Sequence, residues 1–463
     1  MDKNRSSAGI WRQFYKKNYY YHKDLESLAG ILIPREASVL EIGSRGGEIL
    51  RAIPNKTKVG IEWDKDLLTL AKQNSKNTSF IALSEMSTRL KGQKFDYILI
   101  SHAFSEINDV QAFIKKIKSL CHKDTRIVVV YFNFFWKAIL DLGESLGLKY
   151  PPFKEPNWLS EADIDNLLYL ESFEKIKSGR RFIFPYFLPF ISEFINKFLG
   201  QLPLINSLCL TNYTIYRPFP TAQDYSVSIV IPARNEEGHI PGILKKIPPL
   251  GKSTEIIFVE SFSNDNTYEA IKREIGNYKG PFSVKLFKSS KEGKGNAVRV
   301  GFSNAKNELL MIEDADLTVS PRDLTKFYDA VSKGKGELVV GSRLVYPMEK
   351  QAMRVANYFG NKLFSMAFTY LLGQHIKDTL CGTKAILKKN YKIIDQNRKQ
   401  FGDFDPYGDF DLLFGASRLN LKILEIPVRY RERTYGKTNI SRWKHGIILL
   451  RMVLFAAKRL KFI

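Results

Sequence analysis

Three acids in a run of four, Glu313-Asp314-Ala315-Asp316, follow the apolar stretch Leu309–Ile312. Four apolar residues in a row predict a buried strand, so the acids stand at its tip. Carboxylates packed there repel one another unless a cation lies among them. Asp314 and Asp316 are two apart and share a side on extended chain. At a strand end they can grip one divalent ion, Mg²⁺ or Mn²⁺, through oxygen ligands and leave positions for a diphosphate. The alternative is a solvated acidic loop, which the apolar strand before it and a basic loop nearby disfavour. That basic loop, KSSKEGKGNAVR, runs into a helix. Its Lys294 and the helix-start N–H groups suit phosphate oxygens.

Other strand tips carry polar residues of the same kind. SIVIPARNEE runs a strand into Pro232, with Arg234 and Glu236 after it. EIIFVESFSNDNT leaves Glu260 at a tip, followed by Ser263, Asp265 and Thr267. Asp265 and Thr267 also suit a helix cap.

A separate set lies earlier. VLEIGSRGGEIL ends a strand at Glu41, places Gly43 and Gly47 at the turn and then starts a helix. Such a turn lets backbone N–H groups approach a ligand closely. About 20 residues on, Glu62 tips the next strand, where a carboxylate can accept both hydroxyls of a ribose. FDYILISHAF brings Ser101 and His102 to the edge of a third strand. His102 could serve as a base, although a single histidine at a strand end is more often structural.

The elements that must position these residues alternate. Strands are expected at 38–42, 58–62, 79–83, 95–101 and 126–132, with helices at 65–74 and 110–121. After YRPFPTAQDYS the pattern restarts, with strands at 228–231, 255–259, 283–287 and 309–313 and helices at 267–275 and 295–305. Strand–helix alternation predicts α/β architecture: two doubly wound domains, 1–217 and 227–463, joined by a linker at 218–226.

The 463 residues, 44 % hydrophobic, exclude a disordered chain. Lys and Arg number 71 against 48 acids, a net charge of +23, which calls for an anionic partner. Three scattered cysteines exclude a disulfide framework and a cysteine-ligated zinc site, and fit a reducing compartment. No signal peptide or membrane span is evident. The tail from Arg442 holds six basic residues and no acid, with apolar residues at helical spacing. It suits a helix lying on an anionic membrane surface, or one closing the second domain. The apolar stretch 182–199 suits a second such contact or a domain interface. The expected location is cytoplasmic, peripheral at the inner face of the cell membrane.

The first region resembles class I S-adenosylmethionine (SAM)-dependent methyltransferases over roughly residues 36–217. The resemblance implies a Rossmann-like fold that binds SAM through Glu41, Gly43, Gly47, Glu62 and Ser101. Arg45 stands where that family has its middle glycine. The second region resembles family 2 glycosyltransferases, especially the dolichyl- or polyprenyl-phosphate mannose/glucose synthase branch. The matching pieces, in order, are IPARNEE, VESFSNDNT, GKGNAVR, DADL, GSR, DTLCGTKAIL, GDFDLLFGASRLNLKILEIPVRY and RTYGKTNIS, across 227–443. Two positions depart from the family: Thr318 where Gln or Ser is frequent, and Glu260 where Asp is usual.

This resemblance implies a GT-A type fold and metal-dependent, inverting hexose transfer from a nucleoside diphosphate sugar. Pro232, Arg234, Glu236 and Glu260 would hold the nucleoside, and Asp314 and Asp316 the metal. Lys294, Ala315 and Arg343 would complete the nucleotide-sugar site. Asp409 and Asp411 of GDFDLL would serve the acceptor catalytically. The acceptor is a polyprenyl phosphate or a glycan. A lipid phosphate is already ionised and needs cations rather than a base, and Arg343, Arg354, Arg433 and Lys437 are available.

The whole layout resembles bacterial fusions of the two families and implies a bifunctional methyltransferase/glycosyltransferase. One alternative makes the first domain a non-catalytic docking module. Another, a nucleic-acid-binding methyltransferase, lacks any nucleic-acid motif. Nucleic acid is therefore not an expected partner.

Overall fold

The computed structural model describes residues 6–146, 157–346, 355–398, 408–436 and 442–462. Chain contacts divide it into two units, residues 1–219 with 461–463, and residues 220–460.

The first unit is built on seven strands: β1 (Val39–Ile42), β2 (Lys58–Glu62), β3 (Ser79–Ala82), β4 (Phe95–Ser101), β5 (Cys121–Phe132), β6 (Phe173–Arg181) and β7 (Thr211–Pro218). Their order is β3-β2-β1-β4-β5-β7-β6, with β7 antiparallel to both neighbours and the rest parallel. β1 sits centrally and is buried along its whole length. That is why VLEI reads as an unbroken apolar run except for Glu41. The helix after β4 spans Val110–Lys118, and Cys121 opens β5 rather than ending the helix. Lys116 and Ile117 carbonyls cap the helix through Ser119 N–H, which frees Cys121 to pair with Phe95.

The second unit repeats the scheme with β8 (Val227–Ala233), β9 (Thr254–Glu260), β10 (Ser283–Lys288), β11 (Leu309–Ile312), β12 (Leu338–Ser342), β13 (Lys384–Leu387) and β14 (Ile423–Pro427). Their order is β10-β9-β8-β11-β13-β12-β14, and β13 runs against β11 and β12. The parallel strands β8, β9 and β11 end together. Their tips therefore gather the residues after Ala233, Glu260 and Ile312 at one edge of the sheet, where open α/β sheets bind ligands. β11 stops at Ile312, one residue short of the expected end, although Glu313 N–H still donates to Val230 O at 3.0 Å. The C-terminal helix Arg442–Ala456 buries Leu449, Met452 and Ala456 in this unit's core and leaves Ile447, Leu450 and Leu454 exposed. No helix among the described residues is long and apolar enough to cross a membrane.

Candidate active sites

At the β11 tip each acid has a distinct partner. Glu313 is fully buried; its Oε2 accepts from Thr383 Oγ1 at 3.4 Å, and Oε1 has no hydrogen-bond partner. Burial, with Asp314 and Asp316 beside it, pushes its carboxyl well above the usual range. Asp314 is ion-paired with Lys294. Burial alone would raise its carboxyl, but Lys294, Lys384 and Arg343 outweigh that and hold it below its ordinary value. Asp316 accepts from Thr318 N and Oγ1 at 3.1 and 2.9 Å, and from Arg433 Nη1 at 3.4 Å. Ala315 is buried between them.

Lys294 opens the helix Lys294–Asn304 just after Gly293. The loop carrying Cys381-Gly382 passes over the same rim. A Cβ at Gly382 would meet Asp314 Oδ2 and Lys294 Nζ, so a larger residue there would have to displace that ion pair. Lys384, at the start of β13, is buried and donates to Cys381 O.

The loops after β8 and β9 are knitted together by side-chain hydrogen bonds. Glu236 N–H donates to Thr267 Oγ1 at 2.8 Å, and Glu237 N–H to Asp265 Oδ2 at 3.3 Å. Glu236 accepts from His239 Nδ1 at 2.7 Å and pairs with Arg433. Burial raises its carboxyl, only partly offset by His239 and Arg433. Glu260 is buried at the β9 tip and accepts from Ser263 N at 2.7 Å. Pro232 lies within β8, and Arg234 pairs with Glu292. Arg433 thus bridges the carboxylates of Glu236 and Asp316.

Two expected roles meet different geometry. Arg343 donates from Nε and Nη2 to Asp378 at 2.7 and 2.9 Å, and its backbone N–H donates to the same carboxylate. This fork braces the loop 378–382, which passes over the rim. Asp411 lies within 3.4 Å of Arg299 Nη1 and 3.3 Å of Arg398 Nε. The Asp411 carboxylate thus lies between two guanidinium groups. Asp409 starts the helix Asp409–Arg418; its side chain, with Arg354 and Lys437, lies outside the described residues. Sequence reasoning missed Asp378, Thr383, Lys384 and His239. The first three were signalled by the DTLCGTK block.

Hard oxygen donors from Asp314 and Asp316, next to the orphaned Glu313 oxygen, fit a divalent cation. Among the described residues no group of three or more His, Cys, Asp or Glu forms a ready metal cage. In the first unit, Gly43 and Gly47 adopt left-handed φ of +75° and +78°, and Glu41 keeps an unpartnered oxygen.

The space beyond that turn is filled by the protein's own side chains. Arg45, at φ +50°, pairs with Glu106 and lies 5.7 and 6.0 Å from the ring centroids of Trp11 and Trp63. Trp63 Nε1 also donates to Glu106, at 3.0 Å, and Trp11 Nε1 to Glu48 at 2.9 Å. Glu62 is 0 % exposed and accepts from the backbone N–H groups of Arg45, Trp63 and Asp64. In this arrangement the Glu62 carboxylate has no exposed surface. Ser101 ends β4 facing an apolar recess with Leu25 and Leu28. His102 bonds Tyr21 Oη through Nε2 at 2.8 Å and stacks on Phe132 at 4.1 Å.

Fold and strand-tip chemistry together define a two-domain α/β transferase. Comparison with known proteins agrees. A family model for glycosyl transferase family 2 matches residues 228–394, and one for a methyltransferase domain matches residues 11–176. The dolichyl-phosphate beta-glucosyltransferase ALG5D of Trichomonas vaginalis is 30 % identical over 260 residues, covering 51 % of this chain and 77 % of the relative. An undecaprenyl-phosphate 4-deoxy-4-formamido-L-arabinose transferase of Aeromonas hydrophila is 26 % identical over 233 residues, covering 48 % and 64 %. Among solved structures, the Mycobacterium tuberculosis glucosyl-3-phosphoglycerate synthase with Mn²⁺ and UDP aligns at 18 % identity, 51 % and 80 % coverage and a TM-score of 0.38. The chain belongs to glycosyl transferase family 2, with a methyltransferase domain preceding the family 2 domain.

Proposed function

We propose that the second unit transfers a hexose, with inversion, from a nucleoside diphosphate sugar to a polyprenyl phosphate. The observation that carries this is the pairing at the β11 tip: Asp314 and Asp316 each hold a cation from a phosphate-facing loop, Lys294 and Arg433. When bound by Asp314 and Asp316, a divalent ion, Mg²⁺ or Mn²⁺, would neutralise the departing diphosphate. Lys294, displaced from Asp314, is placed to meet a phosphate oxygen. Glu260 and the Arg234–Glu236 loop enclose the nucleoside.

A phosphate acceptor suits the engagement of Asp411 with Arg299 and Arg398, because an ionised oxygen needs no base. A glycan hydroxyl would need one. The names of the relatives point the same way, to dolichyl and undecaprenyl phosphates. Arg354, Arg433 and Lys437 are the cations proposed to orient the acceptor phosphate.

For the first unit, the Arg45 clamp and the sealed Glu62 favour a docking role over SAM-dependent methylation. The proposed domains are 1–217 and 227–463, joined by 218–226, and the proposed location is peripheral at the inner face of the cell membrane. The test is transfer of radiolabelled hexose from a panel of nucleoside diphosphate sugars to polyprenyl phosphate, with and without Mn²⁺. Metal-dependent product that disappears in Asp314→Ala supports the reading. Product formed at an undiminished rate by that variant overturns it.

A further inference from the structure

Three strand tips at the ligand edge of the second unit each lead into a non-glycine residue with positive φ. They are Asn235 after β8 (+57°), Phe262 after β9 (+53°) and Leu317 after β11 (+51°). Asparagine adopts this left-handed conformation readily, whereas a bulky side chain does so at a cost. Leu317 packs against the core of the unit, which offsets that cost. Phe262 is 53 % exposed. A large apolar ring is therefore held on strained backbone and left half in water.

The neighbouring contacts hold it there. Glu260 Oε1 accepts from Ser263 N–H at 2.7 Å and closes the turn over Ser261 and Phe262. Ser261 N–H donates to Ala233 O at 3.0 Å. From the facing loop, Asn235 N–H donates to Ser263 Oγ at 3.1 Å, and Asn264 N–H donates to Asn235 Oδ1 at 2.8 Å. Phe262 thus rides on the turn that binds the Glu260 tip to the Arg234–Glu236 loop. Strain that the surroundings over-determine in this way clusters at ligand sites.

Two polar atoms in the same loops lack partners. Ser261 Oγ is buried and makes no hydrogen bond among the described residues, and the same holds for Arg234 Nε. A buried hydroxyl without a partner suits a ligand's donor or acceptor. An open aromatic ring beside such a hydroxyl matches a flat heterocycle with polar edges, which stacks through its face and hydrogen-bonds through its rim.

We propose that Phe262 is the stacking platform for the base of the nucleoside diphosphate, with Ser261 Oγ placed to pair with the base's polar edge. This rests on the donor-site reading proposed above. The ligand is then divided between two tips: the β11 tip takes the metal and diphosphate, and the β9 tip takes the base.

The test is calorimetric titration, in Mn²⁺, of the full native chain and of Phe262→Gly, Phe262→Tyr and Ser261→Ala. The ligands are UDP, GDP, ADP and CDP, with inorganic pyrophosphate as the probe that carries no base. Glycine suits φ +53°, so Phe262→Gly should melt no lower than the native chain, and weaker binding by it is not a folding defect. The expected result is a loss of about 5-fold or more in affinity for the best-bound nucleotide in Phe262→Gly, near-native affinity in Phe262→Tyr, and unchanged pyrophosphate affinity in both. Ser261→Ala should narrow the preference among the four bases. Nucleotide binding by Phe262→Gly as tight as the native chain's overturns the platform, as does an equal loss for pyrophosphate, which would make Phe262 a loop-shaping residue. An unchanged base preference in Ser261→Ala overturns the edge contact. If the native chain binds pyrophosphate as tightly as every nucleotide, the platform falls and the metal–diphosphate site stands. If it binds neither, the donor-site reading falls and takes the platform with it.

Discussion

Arg433 offers the sharpest perturbation. Its guanidinium pairs with Glu236 and lies 3.4 Å from Asp316 Oδ2, so in the unliganded chain it occupies part of the charge that a divalent ion would supply. At 3.4 Å and an effective dielectric near 20, the gross attraction to Asp316 is about 5 kcal/mol. The two side chains keep 20 and 16 % of their exposure, so screening and desolvation reduce the net to about 1–2 kcal/mol. Removing this competitor in Arg433→Ala should therefore tighten Mn²⁺ binding to the nucleotide-free protein by about 5- to 30-fold. Burial already raises the Glu236 carboxyl, and without Arg433 it should rise further. Sugar transfer should fall in the same variant, because the loop loses its cation for phosphate. Electron paramagnetic resonance titration of free Mn²⁺ measures the first effect and a transfer assay the second. Unchanged or weaker Mn²⁺ affinity in Arg433→Ala would refute the view that Arg433 and the metal share one carboxylate.

Other predictions follow from single contacts. Native protein should give no heat on titration with SAM, whereas Arg45→Gly, which removes the clamp and suits φ +50°, should bind measurably; saturable native binding would restore the methylating reading. Asp378→Asn removes the buried charge partner of Arg343 and should cost about 3 kcal/mol, seen as a lowered melting temperature. Arg343 holds the Asp378 carboxyl below its usual range against the upward push of burial. This stabilisation is present above the unfolded carboxyl's pKa and is lost as the pH falls through the lower folded value, so the native–variant gap should close in strong acid. Burial raises Glu41 well above the usual carboxyl range, with Glu48 and Glu62 adding to it. The penalty appears as the pH rises past the unfolded pKa, so Glu41→Gln should stabilise the first unit at neutral and alkaline pH and not in acid; chemical denaturation at several pH values reads this. Asp411→Asn should lower thermal stability more than it changes the pH profile of transfer, and a lost ionisation in that profile would return Asp411 to a proton-transfer role.

Much of this was legible in local spacing. Apolar runs ending in charged residues marked β1, β2, β8, β9 and β11, and the tips of parallel strands must converge, so the Asp314–Asp316 rim could be placed without coordinates. The strands β6, β7 and β12 to β14 were not assigned. They run in mixed directions, and β6, FEKIKSGRR, shows neither an apolar run nor clean alternation. The pairings that decide roles are separated by long stretches of chain. Arg45 meets Glu106, Asp316 meets Arg433 and Arg343 meets Asp378, and no period in the sequence links them. Arg45 was visible as a departure from a glycine position, but its acidic partner and two tryptophan neighbours were not. Likewise, 182–199 read as apolar, yet only the fold shows that Asn196 points inward.

The central claim is that Asp314 and Asp316 clamp a divalent cation against a nucleoside diphosphate. Anomalous scattering from crystals grown with Mn²⁺ and UDP or GDP tests it directly. The account predicts one manganese peak bonded to oxygens of Asp314 or Asp316 and to the diphosphate, with Lys294 released from Asp314. A nucleotide bound elsewhere, or a rim still closed by Lys294 and Arg433 at saturating Mn²⁺ and nucleotide, would contradict it.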